Sequence, residues 1–348
     1  MQIAIIAGAV TNITNLLTSC SWSGDRTQAA RKLEFSFVQD DRDPNIPVIS
    51  VDVGYTVVGG DDEGNVVFRG NIYKLERNRD QSSVKITAYD NLFVLNRSKT
   101  TQKFSNAYPE DIARSVCSQM GVKTGNIATT GVTVSFIANG KTGFQIIQGA
   151  YTEAKKQNGK LYQLLMRGDE LDVIEKGNLC GYVADAASNM TESIYSESIE
   201  NLINAVLVVD EQGNGGELIT DDESISKYSM FIEVYRQQKD KDAQQEAKDL
   251  MTKPEREGNI TVLGDYRCIS GYSIAVRDSL FRGQFWIKSD HHTFNDGIHI
   301  MKLNLEFENI MTEEKVEQEK EKSSSKSTKS KKKDSETDTD KTERKRKV

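Results

Sequence analysis

The chain is 348 residues long, with 37% hydrophobic residues and a formal net charge of −7. This length predicts two or three domains rather than one. The negative charge argues against a broad nucleic-acid surface, which needs clustered Lys and Arg, and no stretch approaches the roughly 20 apolar residues that a membrane span requires. We therefore expect no stable nucleic-acid binding and no membrane anchor.

Residues 1–100 have the pattern of β-strands. Apolar and polar side chains alternate over residues 33–38 and 84–89, and this period of two predicts strands that bury one face. A polar, Gly-rich stretch at residues 59–64 lies between two apolar runs, as is typical of a hairpin tip. We predict a first β-barrel domain over residues 1–100.

Residues 101–190 have a mixed pattern. Pro109, which two acidic residues follow, is typical of the first turn of a helix. A second helix is predicted over residues 142–157 with Gly159 just beyond its end, and a hairpin is predicted over residues 161–174. The sequence therefore predicts an α+β domain inserted at residues 101–190.

Strand patterns return over residues 191–310, interrupted by one predicted helix at residues 243–251, and we assign this region to a second β-barrel domain. Residues 311–348 contain no aromatic residue and carry 13 Lys/Arg and 10 Asp/Glu. Such a composition buries too little apolar surface to offset the entropy of ordering. We predict a disordered charged tail over residues 311–348.

The two β regions share a sequence pattern. Each begins with Gly-Tyr, continues through a short strand and a polar turn, and then has Phe-Arg-Gly followed by a bulky apolar pair. The pattern comprises Gly54, Phe68, Arg69 and Gly70 in the first region, and Gly271, Phe281, Arg282, Gly283 and Trp286 in the second. Chance similarity between two hairpins is one explanation. Duplication is the other, and it predicts a mainly β fold with two related small β-barrels around an inserted α+β domain.

All three histidines fall within residues 291–299, so a metal site has to be considered. His291 and His292 are neighbours and would point to opposite faces of a strand. A turn at residues 295–297 could return His299 toward His292, with Asp296 as a third candidate ligand. Zinc sites usually have at least three protein ligands in a preorganised cavity, and no HExxH motif is present. We therefore predict strand and hairpin histidines rather than a metal site.

Other signs of catalysis are absent from the sequence. There is no GxSxG motif, no P-loop and no GxGxxG after a strand, so we predict a protein without enzymatic activity and without a cofactor. The four cysteines lie far apart with no CxxC pair. They are typical of reduced, mostly buried thiols in a protein made in the cytoplasm.

Two segments resemble a known family. SCSWSGDRTQAARKLEFSF, at residues 19–37 with Trp22 and Arg31, is similar to the N-terminal signature of XkdQ/YqbQ-type proteins of defective prophages and contractile bacteriocins. VLGDYRCISGYSIAV, at residues 262–276, and the following residues through His292, His299 and Met301 resemble the closing region of the same family. The resemblance covers about residues 15–308 and leaves out the tail.

The resemblance implies a baseplate hub of a contractile tail, in a phage or a phage-tail-like bacteriocin, similar to late-control-D hub proteins. Such a hub is a homotrimer whose six related barrels form a pseudo-sixfold ring between the hexameric tail tube and the trimeric spike. The implied partners are the tail tube protein, the spike protein and other baseplate proteins, with the tape measure protein as a further candidate. The protein would assemble in the bacterial cytoplasm and then form part of the baseplate of the released particle.

Two other functions stay open at this point: a cell-wall- or carbohydrate-binding tail module, and a metal-dependent hydrolase built on His292, His299 and Asp296. Trp22 and Trp286 lie in predicted strands, which disfavours an exposed sugar-binding face. For the hub, we expect structural or interaction roles for a set of residues from both β regions. These are Trp22, Arg31, Gly54, Phe68, Arg69, Gly70, Gly271, Phe281, Arg282, Gly283, Trp286, His292, His299 and Met301.

Overall fold

The computed structural model describes residues 1–40, 42–238 and 242–317, and the fold is mainly β. No helix among these residues is long and apolar enough to cross a membrane. All four cysteines are free and buried, which confirms that prediction. Residues 318–348 of the predicted charged tail lie outside the described residues.

The first β unit contains seven strands and follows the predicted alternation. Leu33, Phe35 and Phe37 point into its hydrophobic core, and the intervening residues face outward. The strands are β1 (Gln2–Ala7), β2 (Ala9–Asn12), β3 (Leu17–Asp25), β4 (Gln28–Val38), β5 (Thr56–Gly60), β6 (Val66–Asn78) and β7 (Ser83–Asp90).

The inserted α+β unit has its own hydrophobic core. Pro109 occupies the first turn of its second helix, and a capping box between Thr142 and Gln145 starts the third, which ends at Gly159 in a left-handed conformation. The elements are α1 (Leu92–Arg97), β8 (Lys99–Ala107), α2 (Pro109–Gln119), β9 (Lys123–Ile127), β10 (Val134–Thr142), α3 (Gly143–Asn158), β11 (Tyr162–Arg167) and β12 (Glu170–Glu175).

Packing gives the inserted unit different limits from the predicted 101–190. Leu92 and Leu95 of α1 are buried in its core, so the unit begins before residue 101. At the other end, β13 (Leu179–Asp185) and β14 (Met190–Ser198) pair with strands of the second β unit. Local patterns do not show which core a strand will join, and this explains the difference.

A small excursion follows β14 and has a core around Val206, Tyr235 and Ala247. The sequence predicts one helix in this region, whereas the structure has two, because α4 buries no residue and so lacks an apolar face that could reveal it. The elements are β15 (Ala205–Val209), β16 (Glu217–Thr220), α4 (Asp222–Tyr228), β17 (Ile232–Arg236) and α5 (Ala243–Leu250).

The second β unit is completed by β18 (Glu255–Leu263), β19 (Ser273–Arg277), β20 (Arg282–Asn295) and β21 (Ile298–Glu306). Its strands follow the pairing order β14-β18-β21-β20-β19-β13, and those of the first unit follow β3-β4-β7-β6-β5-β1. The two orders match strand by strand: β14 corresponds to β3, β18 to β4, β21 to β7, β20 to β6, β19 to β5 and β13 to β1. One pair differs, since β13 and β19 are parallel whereas β1 and β5 are antiparallel.

Because β20 also pairs with β3, the two β units share a single 13-stranded sheet. This sheet curls as a half-barrel. The predicted fold class, mainly β with an inserted α+β domain and two related small β-barrels, is confirmed, and the two barrel units are joined in this one sheet. The Gly-Tyr and Phe-Arg-Gly patterns begin equivalent hairpins, β5–β6 in one unit and β19–β20 in the other. The repeated pairing order therefore favours duplication over chance similarity.

Residues 311–317 belong to the predicted tail, yet they pack against the inserted unit. Met311 is buried in its core, the Gln148 amide donates a hydrogen bond to the Thr312 carbonyl, and Ile137 N donates to Glu317 O at 3.0 Å. Lys141 forms an ion pair with Glu314 at 2.9 Å. The composition of residues 311–348 hides this contact because one buried Met carries little weight in the average.

Replacing Met311 should therefore destabilise the protein. We expect Met311→Ala to lower the free energy of unfolding by about 2–4 kcal/mol, because it leaves a cavity in the core of the inserted unit. Ile310→Ala is the matched control, since Ile310 is 43% exposed and its loss should cost less than about 0.5 kcal/mol. Urea denaturation would compare the two variants, and equal losses would show that residues 311–317 do not seal the core.

Candidate functional site: the joint between the two β units

The candidate site is the joint where β20 of the second unit pairs with β3 of the first. The strands are antiparallel, with Asp290 opposite Gly24, His292 opposite Trp22 and Thr293 opposite Ser21. Because β20 continues past the end of β19, its second half is free to take β3 as a neighbour. The joint therefore unites two units that lie far apart in the sequence.

A buried ion pair lies at the centre of the joint. Arg31 reaches from β4 to Asp290 on β20, with Nη1 donating to Oδ1 at 3.0 Å and Nη2 donating to Oδ2. Ser270 N also donates to Asp290 Oδ1 at 2.7 Å. Burial alone would raise the pKa of Asp290, but the Arg31 charge and the hydrogen bonds from His292 and Arg31 hold it well below its usual range. Asp290 is therefore ionised in the folded protein.

Gly24 provides room for this ion pair. A Cβ atom at Gly24 would lie 2.2 Å from Arg31 Nη1, so a larger residue there would displace the guanidinium. The guanidinium also lies over the Trp22 ring, with Cζ 4.0 Å from the ring centroid. Cation–π attraction of this kind is stronger where the cation is desolvated, and Trp22 is buried. Trp22 and Arg31 therefore act as one unit.

The histidines extend this network. His292 is fully buried, with Nε2 3.1 Å from the Cys268 carbonyl oxygen and Nδ1 2.9 Å from His299 Nε2. Because a carbonyl can only accept, His292 carries a proton on Nε2. Burial and the neighbouring His292 lower the pKa of His299 to about 3, so His299 is neutral at physiological pH. The pair fastens the β20–β21 hairpin to the loop before β19.

This geometry does not form a metal site. The facing nitrogens of His292 and His299 bond to each other, and the third candidate, Asp296, lies exposed in the β20–β21 turn with φ at 52°. Within the described residues, no three His, Cys, Asp or Glu side chains form a group that could hold a metal ion. The proposed hydrolase site at His292, His299 and Asp296 therefore has no structural support in the described residues.

Gly54 and Gly271 occupy equivalent places in the two units, because their N–H groups donate to the carbonyls of Ile72 and Ile287. Phe-Arg-Gly is shifted by two residues, since it ends two positions before Ile72 in one unit and four before Ile287 in the other, and none of the repeat residues lies at the joint. Gly54 and Gly271 precede β5 and β19 with positive φ angles of 85° and 102°, and Phe68 and Phe281 are buried in separate cores. Gly70 is required by close approach, because a Cβ there would lie 2.2 Å from the Tyr89 carbonyl oxygen. We infer that these residues shape the hairpins and the two separate cores.

The remaining predicted residues lie along the long strands. Arg69 follows Phe68 in β6, whereas Arg282, Gly283 and Trp286 lie near the start of β20, away from the pairing with β3. Met301 is fully buried on β21, directly opposite His292. Of the predicted set, Trp22, Arg31, His292 and His299 meet at the joint, and Met301 supports them from the next strand.

Two acidic members of the network, Asp290 and Asp90, were not predicted from the sequence. Asp290 lies beside the histidines but received no role, and Asp90 accepts hydrogen bonds from Arg31 N at 3.2 Å and Leu92 N at 3.1 Å. Burial raises the pKa of Asp90 to about 7, against the lowering effect of these contacts and of the Arg31 charge. For both Asp290 and Asp90, the sequence signal was an acidic residue at a strand position where the alternation predicts a buried side chain.

Breaking the central ion pair should be costly. We expect Arg31→Met to lower the free energy of unfolding by about 3–5 kcal/mol, because Asp290 would keep a buried charge without a partner. The control is Arg267→Met, since Arg267 is 61% exposed and its ion pair with the partly exposed Asp265, at 2.7 Å, should cost less than about 1 kcal/mol to lose. Chemical denaturation would compare them, and equal effects would contradict a central role for the buried pair.

The stabilisation that neutral His299 provides should be lost on mild acidification, whereas Asp90, whose pKa burial raises to about 7, acts in the opposite direction in parent and variant alike. The folded pKa of His299 lies below the ordinary value of 6.5, so the unfolded chain binds this proton more readily. The stabilisation is complete above pH 6.5 and is lost as the pH falls from 6.5 toward 3. Melting temperatures at pH 7.5, 6.5 and 5.5 should drop less steeply in His299→Gln than in the parent. His291→Gln changes an exposed imidazole on the neighbouring strand β20, whose pKa is lowered less far than that of His299, and it should keep most of the slope. An unchanged slope in His299→Gln would refute the assignment.

Comparison with known proteins agrees with this architecture. The XkdQ protein of the phage-like element PBSX, from Bacillus subtilis strain 168, is 27% identical over 310 residues, which cover 85% of this chain and 94% of the relative. A 43 kDa tail protein of prophage MuSo2 from Shewanella oneidensis superimposes with a TM-score of 0.65 at 15% identity, covering 88% of this chain and 97% of that one. The chain therefore has the fold of a phage tail protein.

A more distant match has the same fold. The E. coli c3393 protein, a component of the type VI secretion system with structural similarity to the T4 bacteriophage tail proteins gp27 and gp5, gives a TM-score of 0.51 at 8% identity, covering 87% of this chain and 76% of that one. The profile of the YqbQ-like family matches residues 20–306, which is most of the sequence. The resemblance found in the sequence is confirmed, and the chain belongs to the YqbQ-like family.

Proposed function

We propose that this protein is the structural baseplate hub of a contractile tail, in a phage or a phage-tail-like bacteriocin. Three copies form a ring in which six related β units surround one axis. The ring joins the hexameric tail tube protein on one side to the trimeric spike protein on the other. Other baseplate proteins bind its periphery, and the tape measure protein is a further candidate partner.

The observation that carries this proposal is the repeated pairing order of the two β units. A chain with two equivalent units can satisfy two symmetries at once, because three chains present three identical copies and six similar units. A connector between a sixfold tube and a threefold spike needs this property. The names of the relatives and the shared tail-protein fold point in the same direction.

The joint supports a structural role rather than a catalytic one. Asp290 is buried and fully bonded to Arg31 and to Ser270 N, and His292 is buried between His299 and the Cys268 carbonyl. A reacting group needs access to substrate, whereas these side chains bond to one another within the protein. Their effect is to fix how the two β units are aligned, which suits a rigid connector.

Oligomeric state tests the proposal directly. Mass photometry of the full chain, alone and co-expressed with the tail tube and spike proteins of the same particle, should show a species of three times the 38.9 kDa chain mass. Negative-stain images of that species should show a ring with six similar lobes. A monomer in both preparations would refute the hub, as would a trimer without a central opening.

A further inference from the structure

Two of the open strand edges within the described residues belong to β14 and to the second half of β6. β14 ends the 13-stranded sheet and pairs only with β18. Residues 74–78 of β6 pair with β7 on one side, whereas the pairing of β6 with β5 stops at Asn71. An open edge presents unpaired N–H and C=O groups that readily accept another strand. Ile194 on β14 and Tyr73 at the start of the β6 edge are also 50% and 40% exposed.

The counterparts of these two edges in the other β units pair with each other within the chain. By pairing order, β14 corresponds to β3 and β6 corresponds to β20, and β3 pairs with the second half of β20. That half begins after a break in register at Lys288, and the open part of β6 begins after a break at Tyr73. The open half of β6 is therefore the counterpart of a segment that is covered elsewhere in the molecule.

Strand register makes the correspondence specific to single residues. In each unit, four residues on four neighbouring strands pair with one another in a row across the sheet. The row begins just before the register break, in β6 or β20, and ends in β3 or β14. The rows are Ile72, Ala88, Leu33 and Trp22 in the first unit, and Ile287, Leu305, Gly258 and Tyr195 in the second. Tyr195 of β14 thus stands where Trp22 stands in β3.

Side-chain contacts agree with this alignment. Arg77 is the fourth residue after the break in β6, and His292 is the fourth after the break in β20. Arg77 Nη2 donates to the Val51 carbonyl at 2.8 Å, three residues before Gly54. His292 Nε2 lies 3.1 Å from the Cys268 carbonyl, three residues before Gly271. Different side chains therefore make the same contact at equivalent positions.

We propose that β14 of one subunit pairs antiparallel with residues 74–78 of β6 in the next subunit, in the register of the joint within the chain. Tyr195 then lies opposite Arg77, Ser196 opposite Glu76, and Ile194 opposite Asn78. This inference rests on the proposed trimer and names the contact that closes it. One type of strand pairing would then join all six units, three times within chains and three times between them.

Charge at the two edges is compatible with this contact. Arg256 occupies the position in β18 that Arg31 occupies in β4, two residues before the row that crosses the sheet. Its carboxylate partner is Glu197 on β14 itself, at 3.0 Å, whereas the partner of Arg31 is Asp290 on β20, the strand that pairs with β3. Leu75 takes the place of Asp290 on β6, so the contact between subunits contains a balanced charge pair and an apolar residue.

Disulfide trapping tests the register. Glu76 and Ser196 are both exposed and would be directly opposite, about 4.5–5.5 Å apart at Cβ, whereas a shift of two residues gives roughly 7–8 Å. The test variant is Glu76→Cys/Ser196→Cys in the full chain, and the matched control is Lys74→Cys/Ser196→Cys. The parent protein provides the background, since its four cysteines are buried. Mild oxidation followed by non-reducing electrophoresis should give covalent dimers and trimers, but no larger species, several-fold more abundantly for the test variant.

The outcomes separate this inference from the hub proposal. A trimer by mass photometry whose test variant cross-links no better than the control would overturn the β14–β6 register and leave the hub intact. Products extending beyond three chains would overturn ring closure through this edge. A monomer under all conditions would overturn both proposals. Melting temperatures equal to that of the parent would show that each variant is folded before oxidation.

Discussion

The arrangement of the β units depends on the buried contact between Arg31 and Asp290. The two residues are separated by 259 positions in the sequence, so the contact forms only when both units are folded and correctly aligned. A slip of β20 by one residue against β3 would turn Asp290 to the other face and leave two unpaired charges in a dry environment. Because a buried ion pair contributes little net stability over apolar packing, we infer that its role here is specificity of register.

The duplication preserves backbone geometry more closely than side-chain identity. Tyr195 replaces Trp22, and Arg77 replaces His292, although each pair occupies the same position in the pairing of strands. Backbone pairing is therefore the feature that both units retain. The imidazoles are one solution to the fastening of a long strand to the loop before the Gly-Tyr motif, and a guanidinium is another. This explains why the histidine cluster in the second unit has no counterpart in the first.

Much of the local structure could be predicted because it depends on short-range patterns. Alternation over residues 33–38 showed a half-buried strand, and Pro109 and Gly159 marked helix ends. The Gly-Tyr motif, which lies at equivalent places in the two units, indicated the duplication, although Phe-Arg-Gly is shifted by two residues between them. The joint could not be predicted, since no local pattern shows that Asp290 contacts a residue 259 positions away. Residues 311–317 were missed for a related reason, because their order comes from the surface that receives Met311.

The joint within the chain and the joint that we propose between subunits differ in chemistry, and the difference follows from when each would form. The joint within the chain closes on folding, so it can be dry, with His299 neutral and Arg31 matched by Asp290. An edge that waits for another subunit remains in water, where charged side chains protect it against indiscriminate strand addition. The β6 edge carries Lys74 and Glu76 as an ion pair at 3.0 Å, with Arg77 exposed beside them. Such an edge is protected while it is alone and pairs well only with a strand whose side chains match it in register. β14 is the counterpart of β3, which makes the equivalent pairing with β20 within the chain.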